Sequence, residues 1–311
     1  MLNSRQREYL KYTLLQEKAA LDDLKKLYEK ALKDINNQIA YLLGRTDKEN
    51  LSSIIYQLDY QKALKKQVSA ILDALHSNEY LRIEDYLKDC YESGFLGTMY
   101  DLHGQGIPLM FPLDQEQIIN ALTIDSKLSK PLYERLGEDI KVLKRKVSSE
   151  ISRGIANNFS YSEIARNLRN VSNTGINNAY RIARTEGHRI QNQSAMDAAN
   201  KAKEKGADVV KQWDATLDTR TRPHHALLDG QIRELDKPFE VAGRKAMYPS
   251  GFGIAAEDIL CRCALLQRAK WALDDDELQT LKERAEYFEL DKTKDFNDFK
   301  KKYLGNIDNI I

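Results

Sequence analysis

Leu14, Leu21, Tyr28, Ile35 and Leu42 recur every seven positions, with Leu10, Leu24, Leu32 and Ile39 filling in the stripe. That period fits an α-helix and no strand, so residues 5 to about 43 are expected to form one rod roughly 60 Å long at 1.5 Å per residue. Gly44 stops it, and Thr46-Asp47-Lys48-Glu49 has the form of a capping box for a second helix striped by Leu51, Ile54, Leu58, Leu64, Val68, Ile71 and Leu75. Two long helices joined by so short a turn must lie antiparallel, as a hairpin with a coiled-coil-like seam. The stripes are read as core packing. An exposed seam for a partner is the alternative.

A further helix is expected from 79 to about 100. Gly104-Gln105-Gly106-Ile107-Pro108-Leu109-Met110-Phe111-Pro112-Leu113 then breaks the pattern, and its apolar residues predict an extended segment tucked against a core. Helices resume near Asp114 and from about Lys130 to Asn157. Ser160-Tyr161-Ser162-Glu163 is a second capping box, opening a short helix with Ile164, Ala165 and Leu168, and Asn173 to about Lys205 is another helix closed by Gly206.

After Gly206 the character changes. Ala207 to Ala215 alternates and carries Val209, Val210 and Trp213, which predicts a strand; 230–233 and 261–266 are two shorter candidates. Gly243, Pro249, Gly251 and Gly253 mark an irregular loop between them, and Asp274 to Leu290 returns to helix before a charged helical tail. The expected organisation is a mainly α chain: a helical hairpin at 1–77, a helical domain at 78–169, a small α+β domain at 170–275 and a helical tail at 276–311.

With 42% apolar and 31% charged residues the chain can bury a core, and its net charge of +1 argues against a globally basic nucleic-acid binder. Local basic patches remain at 141–146 and 300–302. There is no apolar run of membrane-spanning length, the charged start at Arg5-Gln6-Arg7-Glu8 does not resemble a signal peptide, and three cysteines make no disulfide framework. The expectation is a protein without a membrane segment, made in a reducing cytoplasm.

The chemistry concentrates late in the chain. Asp218-Thr219-Arg220-Thr221-Arg222-Pro223-His224-His225-Ala226-Leu227-Leu228-Asp229-Gly230 is answered thirty residues on by Cys261-Arg262-Cys263. Upstream, Arg184-Thr185-Glu186 with Arg189 and Asn192 lies on the helix that leads into this region. Three readings are open. Asp218 and Asp229 could lock an irregular fold by accepting hydrogen bonds from arginines and backbone. The paired guanidiniums of Arg220 and Arg222 could bind phosphate. His225, with Arg220, Arg222 and Glu186, could perform phosphoryl transfer in a nuclease-like enzyme.

On a strand, Cys261 and Cys263 would point to one face, where two sulfurs and His225 could take three corners of a zinc tetrahedron. The one-residue spacing is tighter than the usual structural zinc motif, and a disulfide between them would be strained. Half-buried free thiols are the plainer alternative, with no cofactor. P-loop, dinucleotide, HExxH and EF-hand signatures are absent.

Together Ala183-Arg184-Thr185-Glu186, Arg189, Asn192, Trp213, Asp218 to Arg222, His225, Leu228-Asp229-Gly230, Pro249 and Cys261-Arg262-Cys263 resemble the phage Mu F-like minor head proteins, also called phage head morphogenesis proteins. The resemblance covers about residues 150 to 270, and its motifs are specific in combination. It implies a low-copy minor capsid component of a tailed-phage virion, associated with portal, capsid or scaffold proteins during viral assembly in the host cytoplasm. It also implies a place inside the head near the portal and contact with double-stranded DNA phosphates. A non-specific DNA escort is the remaining alternative. The family usually has a glycine where this chain reads Asn157-Asn158-Phe159-Ser160, and no catalytic role transfers to the arginines, histidine or cysteines.

Overall fold

The structure is a computed structural model and describes residues 2–44, 54–111, 113–114, 116–118, 121, 132–157, 159, 161–270, 289–290 and 292–305. Helices α1 (Ser4–Gly44), α2 (Ile54–Gly104), α3 (Leu132–Ala156) and α4 (Tyr161–Glu204) come first. Strand β1 (Val209–Asp214), helix α5 (Pro223–Leu228), β2 (Ile232–Glu234), β3 (Phe239–Val241), β4 (Arg244–Ala246), α6 (Ala255–Asp258), β5 (Ala264–Ala269) and α7 (Phe296–Gly305) follow. The fold is mainly helical, with a small mixed α+β region near its C-terminal end. Among the described residues no helix is long and apolar enough to cross a membrane.

The chain forms two compact units. One comprises Ala19–Asp85 and Ser129–Ala183. Its core is the helical stripe: Leu21, Leu24, Tyr28, Ile35 and Ile39 of α1 are buried, as are Leu64, Val68, Leu72 and Leu75 of α2. Leu136, Ile140, Leu143, Val147 and Ile151 of α3 and Ile164 and Leu168 of α4 complete it. The other unit comprises Met1–Lys18, Tyr86–Leu128 and Arg184–Ile311. Here α1 and α2 run antiparallel: Asn3 and Gln6 bind the Asp101 carboxylate, Arg5 the Tyr100 carbonyl, and Gln16 accepts from Ser93. Leu14 of the stripe is exposed.

Two differences from the sequence reading concern the continuity of helices. Helices expected separately up to Leu75 and from 79 are one rod, and so are those expected from Ser160 and from Asn173. The polar run Asn170–Gly175 looked like a break, yet Gly175 sits where an added Cβ would lie 2.9 Å from the Tyr28 ring. Its smallness serves packing. The turn after Gly44 with its capping box, Ser160 of the second box and residues 274–288 of the helix expected from Asp274 to Leu290 lie outside the described residues; 289 and 290 are not helical. Of the helix expected near Asp114, 116–118 are helical.

The sheet has the order β2-β1-β5, all antiparallel, with Trp213 opposite Leu265 and Lys211 opposite Gln267. Val209, Val210 and Trp213 are the β-forming residues that made β1 legible. The stretch expected as loop contains a hairpin, β3–β4, turned by Ala242 and Gly243, both at positive φ (47° and 74°). The extended segment is tucked in as expected: Ile107, Leu109, Met110 and Phe111 are buried. Gly206, at φ 93°, follows the end of α4.

Candidate functional site

Helix α4 grips the segment that carries the cysteines and leads into β5. Thr185 Oγ1 accepts from the Leu260 N–H at 3.1 Å, and the His188 Nε2 lies 2.8 Å from the Cys263 carbonyl. Asn192 donates to that same carbonyl at 3.2 Å and accepts from the Leu265 N–H at 2.8 Å. These backbone groups lie beside β5, outside or at the start of its ladder, so side chains supply the partners they need. Glu186 and Arg189 form a buried ion pair at 2.9 Å, and Arg189 also reaches Gln193 and the Ala121 carbonyl. Arg184 points elsewhere and pairs with Glu17 at 2.9 Å.

The Asp218 loop is tied in the same way. Both Arg262 terminal nitrogens donate to the Asp218 carboxylate at 2.6 Å, and the Arg220 N–H donates at 2.9 Å. The Arg262 bonds hold that carboxyl well below the usual carboxylate range. Arg222 donates to the Ile259 carbonyl and Asp229 accepts from the Ala215 N–H at 2.8 Å. Gly230, at φ 74°, donates its N–H to the Trp213 carbonyl at 2.8 Å. Arg220 is different: its side chain is 78% exposed, 3.7 Å from Asp218.

His225 is the centre of the arrangement. The sequence placed it in a loop, but Pro223 opens the short helix α5, where a missing N–H costs nothing. The ring is 2% exposed, edge-on to Trp213 and stacked on Phe252. Its Nδ1 lies 3.2 Å from Cys263 Sγ and 3.6 Å from Cys261 Sγ. Its Nε2 lies 3.1 Å from the Glu257 carboxylate, which is itself buried and also bound by His224 at 3.0 Å and by Arg244.

The two cysteines do not lie on a strand, as had been expected. Residues 261–263 are irregular and β5 begins at Ala264, yet both sulfurs converge on the ring. The hydrogen bond with Cys263 holds Cys261 well below the ordinary thiol range, while the same neighbour and then burial push Cys263 up. Among the described residues, His225, Cys261 and Cys263 bring ligand atoms within 4.8 Å of one another, a grouping that could hold a metal. Cys90 is buried apart from them, 3.6 Å from Gln191 Nε2.

Sequence reasoning missed Glu257, Arg244 and Asp258. Asp258 is buried and its carboxylate accepts from three successive N–H groups, those of Phe252, Gly253 and Ile254, at 2.7–3.1 Å. Glu257 lies 32 residues from His225 in a segment with no periodicity, so local pattern held no signal for it. Lys211 was missed as well. It is fully buried in β1, donates to the Leu235 and Met247 carbonyls at 2.9 Å, and burial lowers it to about 8.

Comparison with known proteins matches residues 145–266 to the family described as phage Mu protein F like protein. The chain is 30% identical over 254 residues to minor head protein GP7 of Bacillus phage SPP1, covering 78% of this chain and 75% of that protein. It is also 30% identical over 246 residues to the NAD(+)–arginine ADP-ribosyltransferase EFV of Enterococcus faecalis, covering 78% of this chain. The chain spans half the length of that relative. No solved structure matches. With a GP7 relationship over most of both chains, and the Mu F match falling on the helix, loop and cysteine segment just described, the chain belongs to the phage Mu F-like family of minor head proteins.

Proposed function

We propose that this protein is a low-copy head component of a tailed phage that joins the procapsid beside the portal, through portal, capsid or scaffold contacts. Its polar module acts as an internally braced platform. The observation that carries this reading, together with the GP7 likeness, is that Asp218, Arg222, His225, Asp229, Thr185, Glu186, Arg189 and Asn192 all spend their polar groups on this chain itself. A phosphoryl-transfer site would need His225 within reach of an external phosphate. Instead both ring nitrogens face protein groups in a buried setting. The ADP-ribosyltransferase named for the Enterococcus relative belongs to a protein of about twice the matched length, and the reading for this chain is confined to the head-type module.

Full-length protein is the right reagent, because Tyr9 and Tyr12 pack on Phe296 and an N-terminal deletion would open that core. Co-expressed with portal, scaffold and major capsid proteins, it should sediment with procapsids at a few copies per particle. Replacing the exposed Leu14 and Leu15 with glutamate tests whether α1 supplies the contact. Absence of wild-type protein from purified procapsids overturns the proposal. The DNA arm is tested separately, by binding to a random duplex across a salt series. Contact through phosphates requires log affinity to fall linearly with log salt, by about 0.9 per phosphate neutralised.

A further inference from the structure

A packing role alone does not explain why two thiols and a carboxylate converge on the two ring nitrogens of one buried imidazole. Free cysteines in a core behave as small apolar groups and have no need of an imidazole nitrogen at 3.2 and 3.6 Å. A disulfide between residues two apart would be badly strained, so oxidation is not the natural use of the pair. Zinc meets its ligands at about 2.3 Å for sulfur and about 2.0–2.1 Å for nitrogen, which in a tetrahedron separates a sulfur from a nitrogen by roughly 3.6 Å. The Cys261 separation of 3.6 Å matches that value and the Cys263 separation, 3.2 Å, is shorter.

The second observation lies behind the ring. Metal-binding histidines nearly always give their other ring N–H to a carboxylate, a backbone carbonyl or water, which fixes the tautomer and raises ligand basicity. Glu257 stands in that position, 3.1 Å from Nε2, while Nδ1 faces both sulfurs. Arg244 and His224 hold the other carboxylate oxygen, so Glu257 cannot swing away from the ring.

We propose that His225 Nδ1, Cys261 Sγ and Cys263 Sγ bind one zinc ion, with Glu257 as the outer carboxylate that orients the imidazole and a solvent oxygen in the fourth position. The two Zn–S bonds form as the thiol protons pass to solvent. The ion ties α5 to the segment leading into β5, closing loops of 36 and 38 residues. It does the work of a cross-link in a compartment where disulfides are reduced. The assignment is independent of any partner in the head.

The test is elemental analysis of full-length protein purified without chelator or affinity metal. About one zinc per chain is expected, retained by Cys90→Ser and lost by Cys261→Ser combined with Cys263→Ser. Glu257→Gln should keep the site but weaken zinc affinity by about 10–100-fold in competition with a chromogenic chelator. Should the double variant fail to fold, wild-type protein stripped and reloaded with cobalt(II) decides the matter. Sulfur-to-cobalt charge-transfer bands with intense tetrahedral d–d absorption support the site. Zinc-free protein that gains no such bands, zinc retained by a folded double variant, or one equivalent of copper in place of zinc each overturns it.

Discussion

The Tyr28 hydroxyl donates to the Glu79 carboxyl at 3.0 Å, and both side chains are almost wholly out of solvent. Burial, reinforced by Asp139, pushes Glu79 up to about 8 against that stabilising bond. A carboxyl raised in the folded state keeps its proton there while the unfolded chain loses it. Its contribution is complete below the ordinary glutamate range and is lost as pH rises through the folded value. Stability should therefore fall between about pH 4.5 and 8, by on the order of a few kcal/mol. Glu79→Gln should flatten that part of the profile, read from urea midpoints at pH 5, 6.5 and 8. A wild-type profile that rises over this window contradicts the assignment.

Asn192→Ala removes the amide that satisfies the Cys263 carbonyl and the Leu265 N–H together. The Cys263 carbonyl keeps its contact with His188, but the Leu265 N–H loses this acceptor, which should cost about 1–3 kcal/mol. The shift in urea midpoint at unchanged slope checks it.

Two helical glycines should respond with opposite sign. An alanine methyl at Gly94 would lie 2.6 Å from the Gln191 carbonyl oxygen, a backbone atom of α4 with nowhere to go. Overpacking of this kind costs about 1–3 kcal/mol and outweighs the gain in helix propensity. At Gly137 nothing comes closer than the His76 ring at 3.5 Å, so Gly137→Ala should stabilise by up to about 1 kcal/mol. Thermal melts of the two variants should move apart.

Ala242 sits at φ 47°, a left-handed conformation that costs a residue with a Cβ, and Gly243 follows at φ 74°. Two-residue hairpins of this kind favour Asn-Gly. Ala242→Asn should raise the melting temperature through a gain of roughly 0.5–1 kcal/mol. A lowered melting temperature would show that this turn is not the one described.

Much of this molecule could be read from residue order, and the reason is range. The α1 stripe, the Gly206 stop and the Trp213 strand are set by neighbours three or four positions away. The continuity of α4 through Asn170–Gly175 was hidden, because Gly175 is chosen by the ring of Tyr28, far off in sequence. Cys261, Cys263 and His225 were visible as candidates, but the strand expected to align the thiols is an irregular approach to β5. Glu257, which completes the cluster, is joined to it only by tertiary contact. Leu14 shows the opposite failure: a perfect heptad position left facing solvent.

The Tyr303 hydroxyl both donates to the Phe111 carbonyl and accepts its N–H at 2.6 Å, while the Phe296 N–H donates to Glu8 at 2.7 Å. The beginning of the chain is thus fastened by residues 288 positions later. During synthesis the first helix must wait, its aromatic side uncovered, until the ribosome has released residue 303. This half of the protein can close only once α7 has been made, and nascent chains stalled before α7 are where chaperone dependence and premature degradation should appear.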